Sequence, residues 1–164
     1  MLDNNGKKTL LIVILGVCAV SFIAALVSAF ATSLNMMINM DRVTSMGVSL
    51  LSYGHKIVIM GALLMGLVVL GVLYAVLCFK LREKIKRISV VICSVAVAYA
   101  IAMIVVGYVV MLPDSGNEIG YNAYSMFESI LSVTLSVVLP MVLSTVSIFC
   151  LHKLNAKEQE PQQE

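Results

Sequence analysis

The residues of this 164-residue chain that are best placed to do chemistry lie in its last third. Glu128, Ser132, Ser136, Pro140 and Ser144 follow one another at intervals of four. Residues four apart share a helical face. An acidic group at one end with hydroxyls below it would suit a polar path for an ion or a small solute. Pro140 lacks an N–H, so it leaves the carbonyl of Ser136 free, and a kink is expected there. Serine is also small, lets helices approach and bonds across them. The stripe therefore supports two readings, a path and a packing face, and packing is the simpler.

Other reactive side chains are sparse. Met36, Met37, Met40 and Met46 crowd one stretch. Thioethers suit Cu(I), but they equally make an adaptable apolar surface. They are read as candidate docking residues for a partner. Cys18, Cys78, Cys93 and Cys150 form no C-x-x-C pair, so they are expected to be reduced, packed and inert. His55 and His152 lie at opposite ends of the apolar segments, so no shared metal site is expected. No Ser-His-Asp set, H-E-x-x-H or phosphate loop occurs. The expectation is a non-enzymatic protein with no cofactor, no metal and no nucleic-acid partner.

What positions these residues follows from where charge is missing. Lys, Arg, Asp and Glu are absent from 9–40, 57–79, 88–113 and 129–151. A helix crossing the ~30 Å hydrocarbon core of a bilayer needs about 20 apolar residues. Each gap is long enough. Hydrophobic residues make up 60% of the chain and charged ones 12%, and mean hydropathy is +1.01. A soluble domain carries roughly 25% charged residues; this chain could not coat a globule of its own size with polar surface. Val and Ile abound, which in water would suggest strands. Backbone inside lipid has no water to bond, so helix is expected instead. The fold class is therefore all-α: a polytopic four-helix bundle with spans at roughly 9–31, 56–79, 88–112 and 125–151.

Orientation follows from the basic residues. Lys7 and Lys8 precede the first span. Lys80, Arg82, Lys84, Lys86 and Arg87 fill the tight link between the second and third. Lys153 and Lys157 follow the fourth. Nine of the eleven basic residues thus fall on one side, leaving only Arg42 and Lys56 for the other. That bias predicts a cell-membrane protein with both termini cytoplasmic. Tyr53, Tyr108, Tyr121 and Tyr124 would belt the outer boundary. The pair Lys7-Lys8, the apolar run and Ala29-Phe30-Ala31 imitate a secretory signal. The run exceeds the ~7–15 residues of a signal core, so an uncleaved anchor is expected. Leu15-Gly16-Val17-Cys18 imitates a lipoprotein box, but Val17 is too large beside the cysteine. Residues 1–154 form one transmembrane domain in this reading, and 155–164 a polar, disordered tail. The stretch after residue 31 is either a continuation of the first helix or a separate interfacial helix. The second outer loop, 113–117, has turn chemistry. The shared start of the first and third spans is no more than two entries from the same side produce, so no duplication is read from it.

Every span carries small residues at helical spacing: Ser21, Ala25 and Ala29; Ala62 and Gly66; Ser94, Ala98 and Ala102. Such rows let backbones approach and are read as helix-packing faces within the bundle. The function expected from these features is that of an accessory, assembly or inhibitory partner of another membrane protein, with the bilayer and a second protein, or a second copy, as its contacts. The alternative is an oligomeric small channel or transporter, with its polar path along helix four.

Overall fold

Four helices follow in chain order: α1 (Asn4–Ile38), α2 (Val48–Lys80), α3 (Ile85–Met111) and α4 (Glu118–Gln159). All four are long and apolar enough to cross a membrane. The computed structural model describes the backbone of residues 4–38, 48–81, 84–111 and 118–159. It describes the side chains of 4–38, 55–81, 84–109 and 127–156. The expected loop at 113–117 lies outside these residues, as do Arg42, Met40 and Met46.

The helices are longer than the spans. α1 runs on to Ile38, so the first helix takes up the start of the expected outer loop. α4 continues to Gln159, so residues 155–159 are helical where a disordered tail was expected. Ala, Lys, Glu and Gln are good helix formers. Lysines near a helix C-terminus also complement its dipole. Between α2 and α3 the chain turns tightly. Leu81 N–H donates to Leu77 O at 2.9 Å, and Lys84 N–H donates to Leu81 O at 3.0 Å.

The helices pack as a ring, α1 on α2, α2 on α3, α3 on α4 and α4 back on α1, with a lesser diagonal contact between α2 and α4. Neighbours are antiparallel. Ser33 meets Gly61 and Phe22 meets Tyr74, while Tyr108 meets Phe127 and Lys86 meets Phe149. The start of α1, the link between α2 and α3 and the end of α4 therefore share one end of the bundle, and among the described residues this end holds Lys7, Lys8, Lys80, Lys84, Lys86, Arg87 and Lys153.

Size is distributed inside out. On α1 the inward residues are Cys18, Phe22, Ala25, Ala29, Ser33 and Met36. The outward ones include Ile12, Val13, Val17, Val20 and Val27. Val20 is 71% exposed, whereas Ala29 is wholly buried. In water such an exterior would be costly; it suits a hydrocarbon solvent. There the hydrophobic effect no longer drives helices together, and close packing with interhelical hydrogen bonds takes its place. The α1–α2 seam uses both. Ser33 Oγ donates to Gly61 O at 2.7 Å. A Cβ on Gly61 would lie 3.2 Å from the Cβ of Met36 and 3.3 Å from Ser33 O.

Candidate functional site

The expected polar stripe on α4 does not share one environment. Glu128, Ser132 and Ser136 lie on the exposed face of the bundle. Pro140 is buried and Ser144 is half-buried. The reason is geometric. An α-helix turns about 100° per residue, so a strict four-residue interval drifts about 40° per step. From Glu128 to Ser144 the stripe therefore winds about 160° around α4. The inward face instead follows alternating steps of four and three: Ile130, Thr134, Val137 and Met141. Ser136 Oγ donates back to Val133 O at 2.7 Å, which satisfies the hydroxyl within its own helix.

Where the stripe turns inward it meets a residue the sequence reading passed over. Tyr74 of α2 is buried, and its hydroxyl lies 3.0 Å from Ser144 Oγ and 3.0 Å from Thr145 Oγ1. It also lies 3.4 Å from the carbonyl oxygen of Met141. Ser144 Oγ donates to Pro140 O at 2.6 Å and approaches Met141 O at 3.1 Å. The Tyr74 ring stands edge-on to Phe22 of α1, with centroids 5.8 Å apart at 76°. One side chain thus ties three helices. Its signal in the sequence was a tyrosine inside a charge-free segment, more than a turn short of the basic boundary at Lys80. Tyr99 carries a stronger signal, at the middle of the uncharged stretch 88–113. Its hydroxyl crosses from α3 to Leu63 O of α2 at 2.7 Å. Gly66 makes room for it: a Cβ there would overlap the Tyr99 hydroxyl and lie 2.9 Å from Cζ.

The small-residue rows divide. Ala25 and Ala29 are buried in the bundle and Gly66 lies against Tyr99, as a packing role requires. Ser21 and Ala62 are exposed. On α3 the whole expected row faces out: Ser94, Ala98 and Ala102 are exposed. The inward row is Cys93, Ala96, Ala100 and Met103, again at steps of three and four. α3 thus carries two small-residue faces and spends one on its own bundle. The outward face borders an open groove of 360 Å³, lined by Val90, Ser94, Val97, Ala98 and Ile101 and by Thr145 of α4. Ser94 Oγ donates to Val90 O at 2.8 Å, so this face presents no unsatisfied hydroxyl.

The expected methionine surface is partly internal. Met36 is buried against Gly61, whereas Met37 is 41% exposed. Cys18 and Cys93 are buried, Cys78 and Cys150 half-buried, and all four are free thiols. His55 and His152 are exposed at opposite ends. Among the described residues no three of His, Cys, Asp and Glu gather in a group able to hold a metal. Among the same residues the buried polar side chains are Ser33, Ser89, Thr134 and Ser147, all uncharged, and every buried side-chain N or O atom has a hydrogen-bond partner. The described interior is thus apolar, with hydroxyls either turned back to their own helix, as in Thr134 and Ser89, or bonded across helices, as in Ser33, Tyr74 and Tyr99. Comparison with protein-family models, with curated proteins and with solved structures gives no match to this chain.

Proposed function

We propose that this chain is a multi-pass protein of the cell membrane that acts by contact, as an accessory, assembly or inhibitory subunit of another membrane protein. Both termini are cytoplasmic in this reading, because the basic end of the bundle is the one expected to stay inside. The observation that carries the proposal is the unused small-residue face of α3, with Ser94, Ala98 and Ala102 exposed beside an open groove. Small residues spaced by four allow a foreign helix to approach to backbone distance. The occupant proposed is a transmembrane helix of a partner protein. No catalytic role enters the proposal.

Affinity purification in mild detergent tests it. A membrane protein should co-purify with the wild-type chain, and Ala98→Leu should cut its recovery about tenfold, as an overpacked contact costing ~1–3 kcal/mol would. Ala98 is exposed, so the bundle itself should keep its stability. Val20→Leu, on the exposed face of α1, should leave recovery unchanged. Equal recovery with all three chains would remove the α3 face from the account.

A second reading draws on the outward position of Glu128, Ser132 and Ser136. Copies of the chain meeting along α4 would enclose a polar path between them, an oligomeric channel or transporter with carboxylates at its mouth. Its mark would be cation flux in liposomes that Glu128→Gln reduces.

A further inference from the structure

Where α1 begins and α4 ends, the two helices leave a groove of 380 Å³. Its walls are Lys7, Leu10 and Leu11 from α1 and Cys150, Lys153 and Leu154 from α4. The two lysines are exposed. Leu10, Leu11 and Cys150 lie about one turn further into the charge-free segments, at 1.5 Å rise per residue. Lys86, at the same end, is engaged differently: its Nζ stands 4.6 Å from the centroid of the Phe149 ring, a cation–π contact between α3 and α4.

Two ammonium groups above an apolar trough match an amphiphile with an anionic head and an aliphatic chain. A lysine ammonium is a compact point charge that binds phosphate oxygens well. Basic pockets between spans on the cytoplasmic side are suited to anionic phospholipid head groups. We infer that the α1–α4 groove binds an anionic phospholipid, its phosphate on Lys7 and Lys153 and an acyl chain along Leu10, Leu11 and Cys150. This inference rests on the membrane reading above. It assigns the bilayer a specific contact that ties the first helix to the last.

Native mass spectrometry of the detergent-solubilised full chain tests it. Phosphatidylglycerol and phosphatidylcholine with the same acyl chains serve as probes. A lysine near an anionic lipid contributes about fivefold in affinity, so two should favour phosphatidylglycerol about 25-fold. Lys7→Gln with Lys153→Gln should abolish that preference, and Lys7→Arg with Lys153→Arg should keep it. Lys80→Gln with Lys84→Gln, at the same end but outside the groove, should also keep it. Millimolar inorganic phosphate should not displace the bound lipid. Equal retention of both lipids, or an equal loss in the Lys80 and Lys84 variant, would overturn the site. Displacement by inorganic phosphate would overturn the lipid assignment, because the groove would then select the phosphate alone. A chain that stays in solution without detergent would sink the membrane reading together with the site, whereas equal retention sinks the site alone.

Discussion

Gly66→Leu should destabilise the detergent-solubilised bundle by about 2–4 kcal/mol. Overpacking a tight site typically costs ~1–3 kcal/mol, and an interhelical hydrogen bond between membrane spans contributes ~0.6–1.7 kcal/mol. Both apply at this position. The new side chain would occupy the space of the Tyr99 hydroxyl, and Tyr99 would lose its bond to Leu63 O. Tyr99 cannot simply swing away, because its ring is partly buried against the core cluster. Thermal or SDS-induced unfolding followed by circular dichroism would measure the loss. A double-mutant cycle sharpens the result. Gly66→Ala should cost less in a Tyr99→Phe background than in the wild type, because part of the collision is with the hydroxyl itself. Additive costs would mean that the two residues do not meet.

Tyr74→Ala comes next in size, at about 2–4 kcal/mol. Truncating a buried aromatic in a soluble core typically costs ~3–5 kcal/mol. The part of that cost due to transfer from water shrinks when the surroundings are hydrocarbon, while the cavity and the lost contact with Phe22 remain. Tyr74→Phe separates the ring from the hydroxyl. It should cost no more than ~0.6–1.7 kcal/mol, because Ser144 keeps Pro140 O and Met141 O as partners. The same unfolding assay reads both variants. If Tyr74→Phe cost as much as Tyr74→Ala, the polar contacts with Ser144 and Thr145 would be the main fastener of the diagonal, and the ring a minor one.

Much of the architecture was legible from where charge is absent. Four uncharged stretches, each longer than a bilayer requires, led to four helices, because a continuous apolar run satisfies its backbone in lipid as a helix, whereas a barrel needs short alternating strands. Helix ends were less legible. Beyond Ala31 and beyond Leu154 the chain becomes more polar, but helix propensity outlasts apolarity, so α1 and α4 run past the expected spans. Faces were harder still. A row of equal steps of four is conspicuous in a sequence, yet it drifts around the helix, and that drift carries Glu128 outward and Pro140 inward. The inward faces alternate steps of three and four, as in Cys93, Ala96, Ala100 and Met103. That pattern is visible in the sequence once the 3.6-residue period is applied strictly. Tyr74 and Tyr99 were missed for a different reason. Their importance lies in partners on other helices, Ser144 and Thr145 for one and Leu63 for the other. Pairings between segments dozens of residues apart do not show in the spacing along one of them. The outward turn of Ser94, Ala98 and Ala102 is what moves the proposed interface from the methionine-rich stretch to α3.

Site-specific photocrosslinking in native membranes tests that interface most directly. A benzophenone amino acid at position 98 reports what lies against the α3 groove before any detergent is added. A covalent adduct between this chain and a second membrane protein is expected from position 98, and none from the same probe at Val20 on the exposed face of α1. No adduct at position 98 above the level at Val20 would contradict it.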